Sequence, residues 1–270
     1  MKYRNREDNY YDKETFWHEV AEKSSTNISP VIISKQSVGQ ANSYLSTYKS
    51  CRRCRYILLV TVLVSPYLLI LPIVAVLLCV YMEKYSTVNL SYQLTGAQKA
   101  AFEEQVAYVK KIMPSQRVSW IKSRSKIFES RYEAGAKEIL DGVPCKILYA
   151  SPYPFRTNLK VLSIQSEQTS VTFFPDRIII ISNDHVADIP YEGLCYEYED
   201  YNFVEDRGVP KDAIIIGYTW AYVNKDGSPD RRFKNNQRLP ICGYGKLSIT
   251  SKHGLNVCLM FSNRNLWDHS

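Results

Sequence analysis

The chain has 270 residues, of which 45% are hydrophobic and 23% charged, and 21 of them are tyrosines. This composition excludes an intrinsically disordered chain, and the length suits one large domain or two small ones. The formal net charge of +7 is spread over several segments, so it selects no partner by itself, and a nucleic acid is not expected.

The N-terminal region, residues 1–50, is polar and mixed in charge. Within it, Phe16, Trp17 and Val20 can share one face of a short helix between Lys13 and Lys23. A helix on a membrane surface and a loosely ordered tail both stay open for this region.

A long apolar segment from Tyr56 to Met82 contains 27 residues without a formal charge. At about 1.5 Å per helical residue, the segment exceeds the roughly 30 Å hydrocarbon core of a bilayer. It starts too far into the chain, and is too long, to be a cleavable signal peptide. We therefore predict a membrane anchor with a basic flank over residues 51–84.

Two topologies are compatible with this anchor. Basic residues crowd its N-terminal side, namely Lys49, Arg52, Arg53 and Arg55. The positive-inside rule then places residues 1–55 in the cytoplasm and the C-terminal domain outside. Pro66 and Pro72 instead favour a re-entrant hairpin, whose arms of about 13 residues enter one leaflet and return to the same side.

Residues 85–142 are predicted to form a helical connector. Between Gly96 and Met113, the apolar residues Phe102, Val106 and Val109 recur at helical spacing, and Pro114 ends the pattern. A second helix is expected from Gln116 to Leu140, where Trp120, Ile127, Phe128 and Tyr132 are mixed with basic residues.

Residues 143–270 are predicted to form a β-rich domain, which makes the chain an α+β protein. Short runs rich in β-formers alternate with turn residues, as expected for an antiparallel barrel or sandwich. The predicted strands are Cys145 to Ala150, Leu159 to Gln165, Ser170 to Phe174, Arg177 to Ser182, Ala213 to Val223, Gly245 to Thr250 and Leu255 to Phe261.

A polar excursion between two of these strands, Tyr222 to Pro240, is the first candidate for a functional surface. It combines cationic side chains with amides, which suit a phosphate or a carboxylate. The predicted ligand-binding residues are Lys225, Asp226, Asp230, Arg231, Arg232, Lys234, Asn235, Asn236 and Arg238. The alternative is a solvated hairpin in which Asp, Asn and Gly only hold turn geometry.

Metal and catalytic chemistry are poorly supported by the motifs. Asp176 follows proline as in some nucleases, but the further acidic residues and the lysine of such sites are missing, and local pairing with Arg177 is the simpler interpretation. Cys51 and Cys54 have the spacing of half a zinc site without its other half. We expect no catalytic residue, metal or cofactor, although a metal-dependent hydrolase or nuclease using Asp176, Asp226 or Asp230 is kept as a remote alternative.

An acidic aromatic run from Tyr191, YEGLCYEYEDYNFVED, is interpreted as a solvated strand edge protected by charge. A face directed at the basic excursion or at a partner is the alternative.

The segments FFPDRIIIIS, IPYEGL and TWAYVNKDGSPDRRFKNNQRLPICGYGKLSI resemble a C-terminal pattern of uncharacterised bacterial membrane-associated proteins. The first two segments also resemble the strand-turn-strand of PH-like or GRAM-like domains. The resemblance implies a PH-like β domain and a binding or scaffolding role at a membrane.

The function expected from the sequence is that of a membrane-anchored binding or sensor module. Its partners would be the lipid bilayer and an anionic ligand, a headgroup or a protein, and self-association stays open. The alternative is a membrane-perturbing effector that is triggered through the β domain.

Overall fold

The fold is seen in a computed structural model that describes residues 2–5, 16–18, 35–64, 70–126, 138–182, 185–224 and 226–267. The chain divides into two compact units. Unit 1 comprises Met1–Ser24, Gln105–Ile147 and Glu192–Ser270, and unit 2 comprises Ser25–Glu104 and Leu148–Tyr191. Both units are discontinuous in sequence, whereas the four segments expected from the sequence follow one another along the chain.

Three α-helices are described: α1 (Lys35–Val64), α2 (Ile70–Tyr85) and α3 (Gly96–Ile112). The described strands are β1 (Lys2–Asn5), β2 (Phe16–His18), β3 (Val88–Leu90), β4 (Val118–Lys126), β5 (Glu138–Pro144), β6 (Lys146–Tyr149), β7 (Phe155–Thr157), β8 (Leu162–Gln165), β9 (Thr169–Phe173), β10 (Ile178–Ser182), β11 (His185–Ile189), β12 (Leu194–Val204), β13 (Ile214–Trp220), β14 (Arg238–Ser251) and β15 (Asn256–Phe261). A 3₁₀ helix, Arg264–Trp267, follows the last strand.

The strands form three sheets. The eight-stranded sheet has the order β13-β14-β15-β4-β5-β1-β12-β2, and β12 also pairs with β14. A five-stranded sheet has the order β11-β10-β9-β8-β6, and β3 pairs in parallel with β7. These sheets confirm a β-rich α+β chain with mostly antiparallel strands, while a closed barrel is not shown.

Helix α3 confirms the predicted amphipathic helix. Thr95 and Gln98 cap its first turn reciprocally: the Thr95 amide donates to Gln98 Oε1 at 2.9 Å, and the Gln98 amide donates to Thr95 Oγ1 at 3.4 Å. Phe102, Val106 and Val109 are buried, as their helical spacing predicts.

The second predicted helix, Gln116 to Leu140, is wrong where the structure describes it. Residues 118–126 form β4 and residues 138–144 form β5, and the two strands pair with each other. Trp120 lies opposite both Leu259 of β15 and Val143 of β5. This tertiary pairing outweighs a local helical pattern, because strand formation depends on the neighbours that a side chain meets. Phe16, which was expected on a short helix, likewise belongs to strand β2.

The acidic aromatic run is also not a sheet edge. Strand β12 pairs with β14 from Leu194 opposite Ser251 to Val204 opposite Ile241, and with β1 and β2 on its other side. Its tyrosines Tyr196, Tyr198 and Tyr201 are buried, whereas the glutamates between them are partly exposed. The alternation therefore belongs to a central strand whose apolar face lies in the core of unit 1.

The apolar segment forms two helices in place of one. Helix α1 ends at Val64 and α2 begins at Ile70, and the two helices contact each other. Pro72 lies in the first turn of α2, where the missing amide hydrogen would have no acceptor in the helix, whereas Pro66 lies outside the described residues. Among the helices of the described residues, none has both the length and the apolar character needed to cross a membrane.

Unit 2 has one hydrophobic core between its sheets and the start of α1. Ala41, Val88, Phe155, Phe174 and Ile179 are all buried in it. The Asn42 side chain fixes α1 to this core, since its Oδ1 accepts a hydrogen bond from the Val186 amide at 2.7 Å. Helix α1 is therefore anchored at its N-terminal end by both apolar packing and a specific polar contact.

In unit 1, β14 carries a glycine that an aromatic ring covers. Gly245 lies opposite Phe261 of β15, and a Cβ built on Gly245 would be 2.3 Å from Phe261 Cζ. Phe261 is fully buried, so its ring has little room to move.

We predict that Gly245→Ala destabilises unit 1 by about 1–3 kcal/mol, because the added methyl group overpacks a closed core. Gly243→Ala is the matched control on the same strand, since its added Cβ would first meet the flexible Arg264 side chain at 3.3 Å. Urea unfolding of both variants measures the difference between their free energies of unfolding. Equal losses of stability in the two variants would contradict the packing around Phe261.

Candidate functional site

The polar excursion between β13 and β14, residues 221–237, is called the basic loop below. Its tip is a tight turn held by Asp226, whose Oδ1 accepts hydrogen bonds from the Ser228 amide at 3.0 Å and the Ser228 hydroxyl at 2.7 Å. These hydrogen bonds, the one from the hydroxyl first, hold the pKa of Asp226 below its usual range. Gly227 has a φ of 83°, which favours glycine at this position. The Asp226 carboxylate therefore serves the turn.

Asp230 has a structural role in the middle of the basic loop. Its side chain is 5% exposed and accepts hydrogen bonds from the Arg232 amide at 3.0 Å and from Arg232 Nε at 3.0 Å. The Arg232 side chain is 66% exposed, so only part of it is committed to this ion pair. Asp230 thus fixes the orientation of the Arg232 guanidinium, whose Nε and Nη2 both donate to its carboxylate.

The base of the loop is closed by Asn236 and by two aromatic rings. Asn236 Oδ1 accepts from the Tyr222 amide at 2.9 Å, and Asn236 Nδ2 donates to the Tyr222 carbonyl at 2.7 Å. The rings of Tyr222 and Phe233 stack with centroids 3.9 Å apart. This pairing imitates a strand pair, so the loop continues the β13–β14 hairpin with a defined shape.

The other predicted ligand-binding residues lie on the outside of this frame. Arg231, Lys234 and Asn235 are exposed, and Lys225 lies outside the described residues. Arg238 begins β14 and places its guanidinium carbon 4.4 Å from the ring centroid of Tyr218. The structure therefore brings Arg231, Arg232 and Lys234 together on one loop, while Asp226, Asp230 and Asn236 hold the loop in shape.

Strand β13, next to the basic loop, exposes large apolar side chains that the sequence did not mark as a surface. Ile214, Ile215, Ile216 and Tyr218 are each between 41% and 51% exposed. In the described part of the chain, β13 is the last strand on its side of the eight-stranded sheet. The strand predicted from Ala213 to Val223 overlaps β13. A run of apolar residues does not show which face of the strand is exposed to solvent.

A second polar cluster in unit 1 is buried. The Glu205 carboxylate accepts hydrogen bonds from Arg117 Nη1 at 2.6 Å and from the Tyr244 hydroxyl. Arg117 Nη2 donates a further hydrogen bond to the Gly208 carbonyl at 3.2 Å. Burial, reinforced by the hydrogen bond to Glu205, raises the pKa of Tyr244 above its ordinary value. Burial also raises the pKa of the nearby Cys242 thiol to about 11, so this thiol is protonated at neutral pH.

This cluster connects strands that are distant in sequence. Arg117 precedes β4, Glu205 follows β12 and Tyr244 lies on β14. The carboxylate has a cation and a phenol as partners, which is what a buried charge requires. We interpret the cluster as structural: it holds these three parts of unit 1 together. Sequence reasoning missed it because nothing in the local pattern marks Glu205 as buried.

In unit 2, Asp176 is used within the fold. Its carboxylate accepts from the Tyr92 hydroxyl at 2.7 Å and from Arg177 Nε at 3.0 Å. The local pairing of Asp176 with Arg177 is therefore confirmed. Within the ranges that the structure describes, no group of three or more His, Cys, Asp or Glu residues is arranged to hold a metal ion.

The predicted membrane residues are distributed over α1 and α2. Arg52 and Arg53 are exposed on α1, and Arg55 lies in the same helix. Pro72 is in α2, and Pro66 is outside the described residues.

Comparison with known proteins gives no match to a family model, to a curated protein or to a solved structure. The PH-like or GRAM-like resemblance therefore stays a prediction.

We predict that Asp230→Ala loosens the basic loop and destabilises unit 1 by about 1–3 kcal/mol, because Arg232 loses a largely buried carboxylate partner. Asn235→Ala is the matched control in the same loop, since Asn235 is exposed on the outside of the loop. The check is thermal unfolding together with limited proteolysis at the loop. Resistance to protease that is unchanged in Asp230→Ala would contradict the role given to this ion pair.

Proposed function

We propose that the chain is a membrane-anchored binding module in which unit 1 presents the basic loop to an anionic ligand. The observation that carries the proposal is a loop of defined shape with three exposed cations, Arg231, Arg232 and Lys234, on its outside.

The fixed shape of the loop supports a binding role. A loop that is already ordered loses little conformational entropy when a ligand binds, so more of the contact energy appears as affinity. The contacts of Asp230 and Asn236 supply that order before any ligand arrives. Arginine adds a planar fork that matches a carboxylate or a phosphate with two parallel hydrogen bonds.

Anchoring at a membrane, in a bacterial inner membrane, is the second half of the proposal. The uncharged run from Tyr56 to Met82 supports it, as do the apolar side chains exposed on α2. The resemblance of FFPDRIIIIS and IPYEGL to PH-like or GRAM-like strand pairs is in keeping with binding at a membrane surface. We infer no catalytic step, because the acidic residues that were considered for one have structural partners.

We predict that the double variant Arg231→Gln/Lys234→Gln binds a polyanion roughly three- to tenfold more weakly, since two exposed charges at a binding surface contribute modestly each. Arg232 is left in place because it also stabilises the loop. The measurement is the salt concentration that elutes the protein from immobilised heparin, used as a general anionic probe.

The matched control is Lys122→Gln/Lys211→Gln, which removes the same charge from two exposed positions elsewhere on unit 1. The proposal expects the loop variant to elute at clearly lower salt than this control, with equal thermal stability. Elution of both variants at the same salt would show that only net charge matters, and would remove the basic loop as the binding surface.

A further inference from the structure

The segment between the start of α1 and β3 leaves the core of unit 2 and returns to it. Ala41 of α1 is fully buried in the same hydrophobic cluster as Val88 and Leu90 of β3. Tyr48, about two turns further along α1, still contacts Tyr153 of this unit with ring centroids 5.1 Å apart. The start of α1 and the strand that follows α2 therefore lie in the same hydrophobic core.

The lengths of the helices require the chain to reverse direction. From Ala41 to Val64, α1 extends about 35 Å away from the core, and the 16 residues of α2 add about 24 Å. If α2 continued in the direction of α1, Val88 would lie about 60 Å from Ala41, yet both residues belong to one cluster. The contact between α1 and α2 agrees with a return path along α1, so the two helices form an antiparallel hairpin.

The returning helix is apolar around most of its surface. Ile73, Val74, Leu77, Leu78 and Val80 are between 45% and 62% exposed. At about 100° per residue these side chains span about 160° of the helix circumference, and Val76, which is 40% exposed, extends the span to about 200°. A helix with such a wide exposed apolar surface is suited to hydrocarbon and poorly suited to water.

Both arms of the hairpin carry their cations at the same end. Arg55, the last cation on α1, lies about 14 Å from Val64, and Lys84 on α2 lies about 21 Å from Ile70, measured along each helix. Tyr81 and Tyr85 are exposed beside Lys84. Basic residues and tyrosines are the side chains that settle at the headgroup level of a membrane.

We propose that the α1–α2 hairpin inserts tip-first into a single leaflet of an anionic bilayer and does not cross it. The charge-free lengths of its two arms, about 14 Å and about 21 Å, are close to one leaflet of the roughly 30 Å hydrocarbon core plus the adjoining interface. The cations on both arms then lie at the anionic headgroups of the leaflet that the hairpin enters. Residues before Lys35 and residues after Tyr85 consequently remain on one side of the membrane.

This inference rests on the membrane association in the proposed function and adds its topology. The first experiment is flotation of the purified full chain with phosphatidylcholine vesicles containing about 30% phosphatidylserine, a fraction chosen to mimic an anionic leaflet. We expect the protein to float, and to float several-fold less with phosphatidylcholine alone. A chain that stays at the bottom with both vesicle types would overturn membrane association itself.

Leu77→Asp tests insertion of the α2 arm, because Leu77 lies halfway between Ile70 and Lys84 and is 62% exposed, so we expect the fold in water to survive its replacement. We expect at least about a tenfold loss of vesicle binding, since a carboxylate inside the hydrocarbon of a leaflet is strongly disfavoured. Gln40→Asp, which adds the same charge at an exposed position near the start of α1, is the matched control and should float like the unaltered protein. Equal flotation of both variants would contradict insertion of the hairpin.

Accessibility of introduced cysteines then decides the topology. Gln40→Cys and Ala100→Cys, each in a chain whose native cysteines are replaced by alanine, mark exposed positions before and after the hairpin. In inner-membrane vesicles of known orientation, both single-cysteine proteins should react with a membrane-impermeant maleimide from the same side. Reaction from opposite sides would show a membrane-crossing segment and overturn the one-leaflet hairpin while leaving membrane anchoring in place.

Discussion

The hairpin of α1 and α2 depends on one constraint, which is that α1 and β3 share one hydrophobic core. Ala41 and Val88 are separated by the whole apolar segment in sequence, yet they are buried together with Phe155 and Phe174. A chain that must close this distance with two helices of 30 and 16 residues has to fold back on itself. The antiparallel path of α1 and α2, on which the proposed one-sided topology rests, follows from that closure.

In unit 1, the acidic and basic residues described above have different roles. The carboxylates of Asp226 and Asp230 stabilise backbone turns, and the buried carboxylate of Glu205 binds Arg117. The cations Arg231 and Lys234 are left on the surface of the loop. A net positive chain can in this way present a local positive surface even when its acidic residues lie nearby in sequence.

The sequence predicted those elements whose patterns are local. Helix α3 was found because its apolar spacing and Pro114 agree, and the structure adds the Thr95–Gln98 cap at its first turn. The strands on either side of the basic loop were found because β-branched runs were bounded by turn residues. The alternative interpretation of the loop, in which Asp and Asn hold turn geometry, was also available, and it accounts for Asp226 and Asn236.

The sequence failed where long-range contacts decide the structure. Residues 118–126 mix apolar and basic residues, which was interpreted as helical, but Trp120 gains partners on both neighbouring strands only as part of β4. The acidic residues of β12 suggested an edge, because a sequence does not show that β1, β2 and β14 flank that strand. The burial of Glu205 depends on Arg117 and Tyr244, which are far away in the chain, so local patterning carries no sign of it.

The most direct test of the central claim is the distance between α1 and α2 in the membrane-bound protein. Spin labels at Ser50 and Lys84, both exposed, would be measured by pulsed electron paramagnetic resonance. The hairpin predicts a distance below about 25 Å, because adjacent helices pack with axes about 8–10 Å apart and the labels add their own length. A distance near 50 Å, as expected for one continuous helix between these positions, would contradict the account.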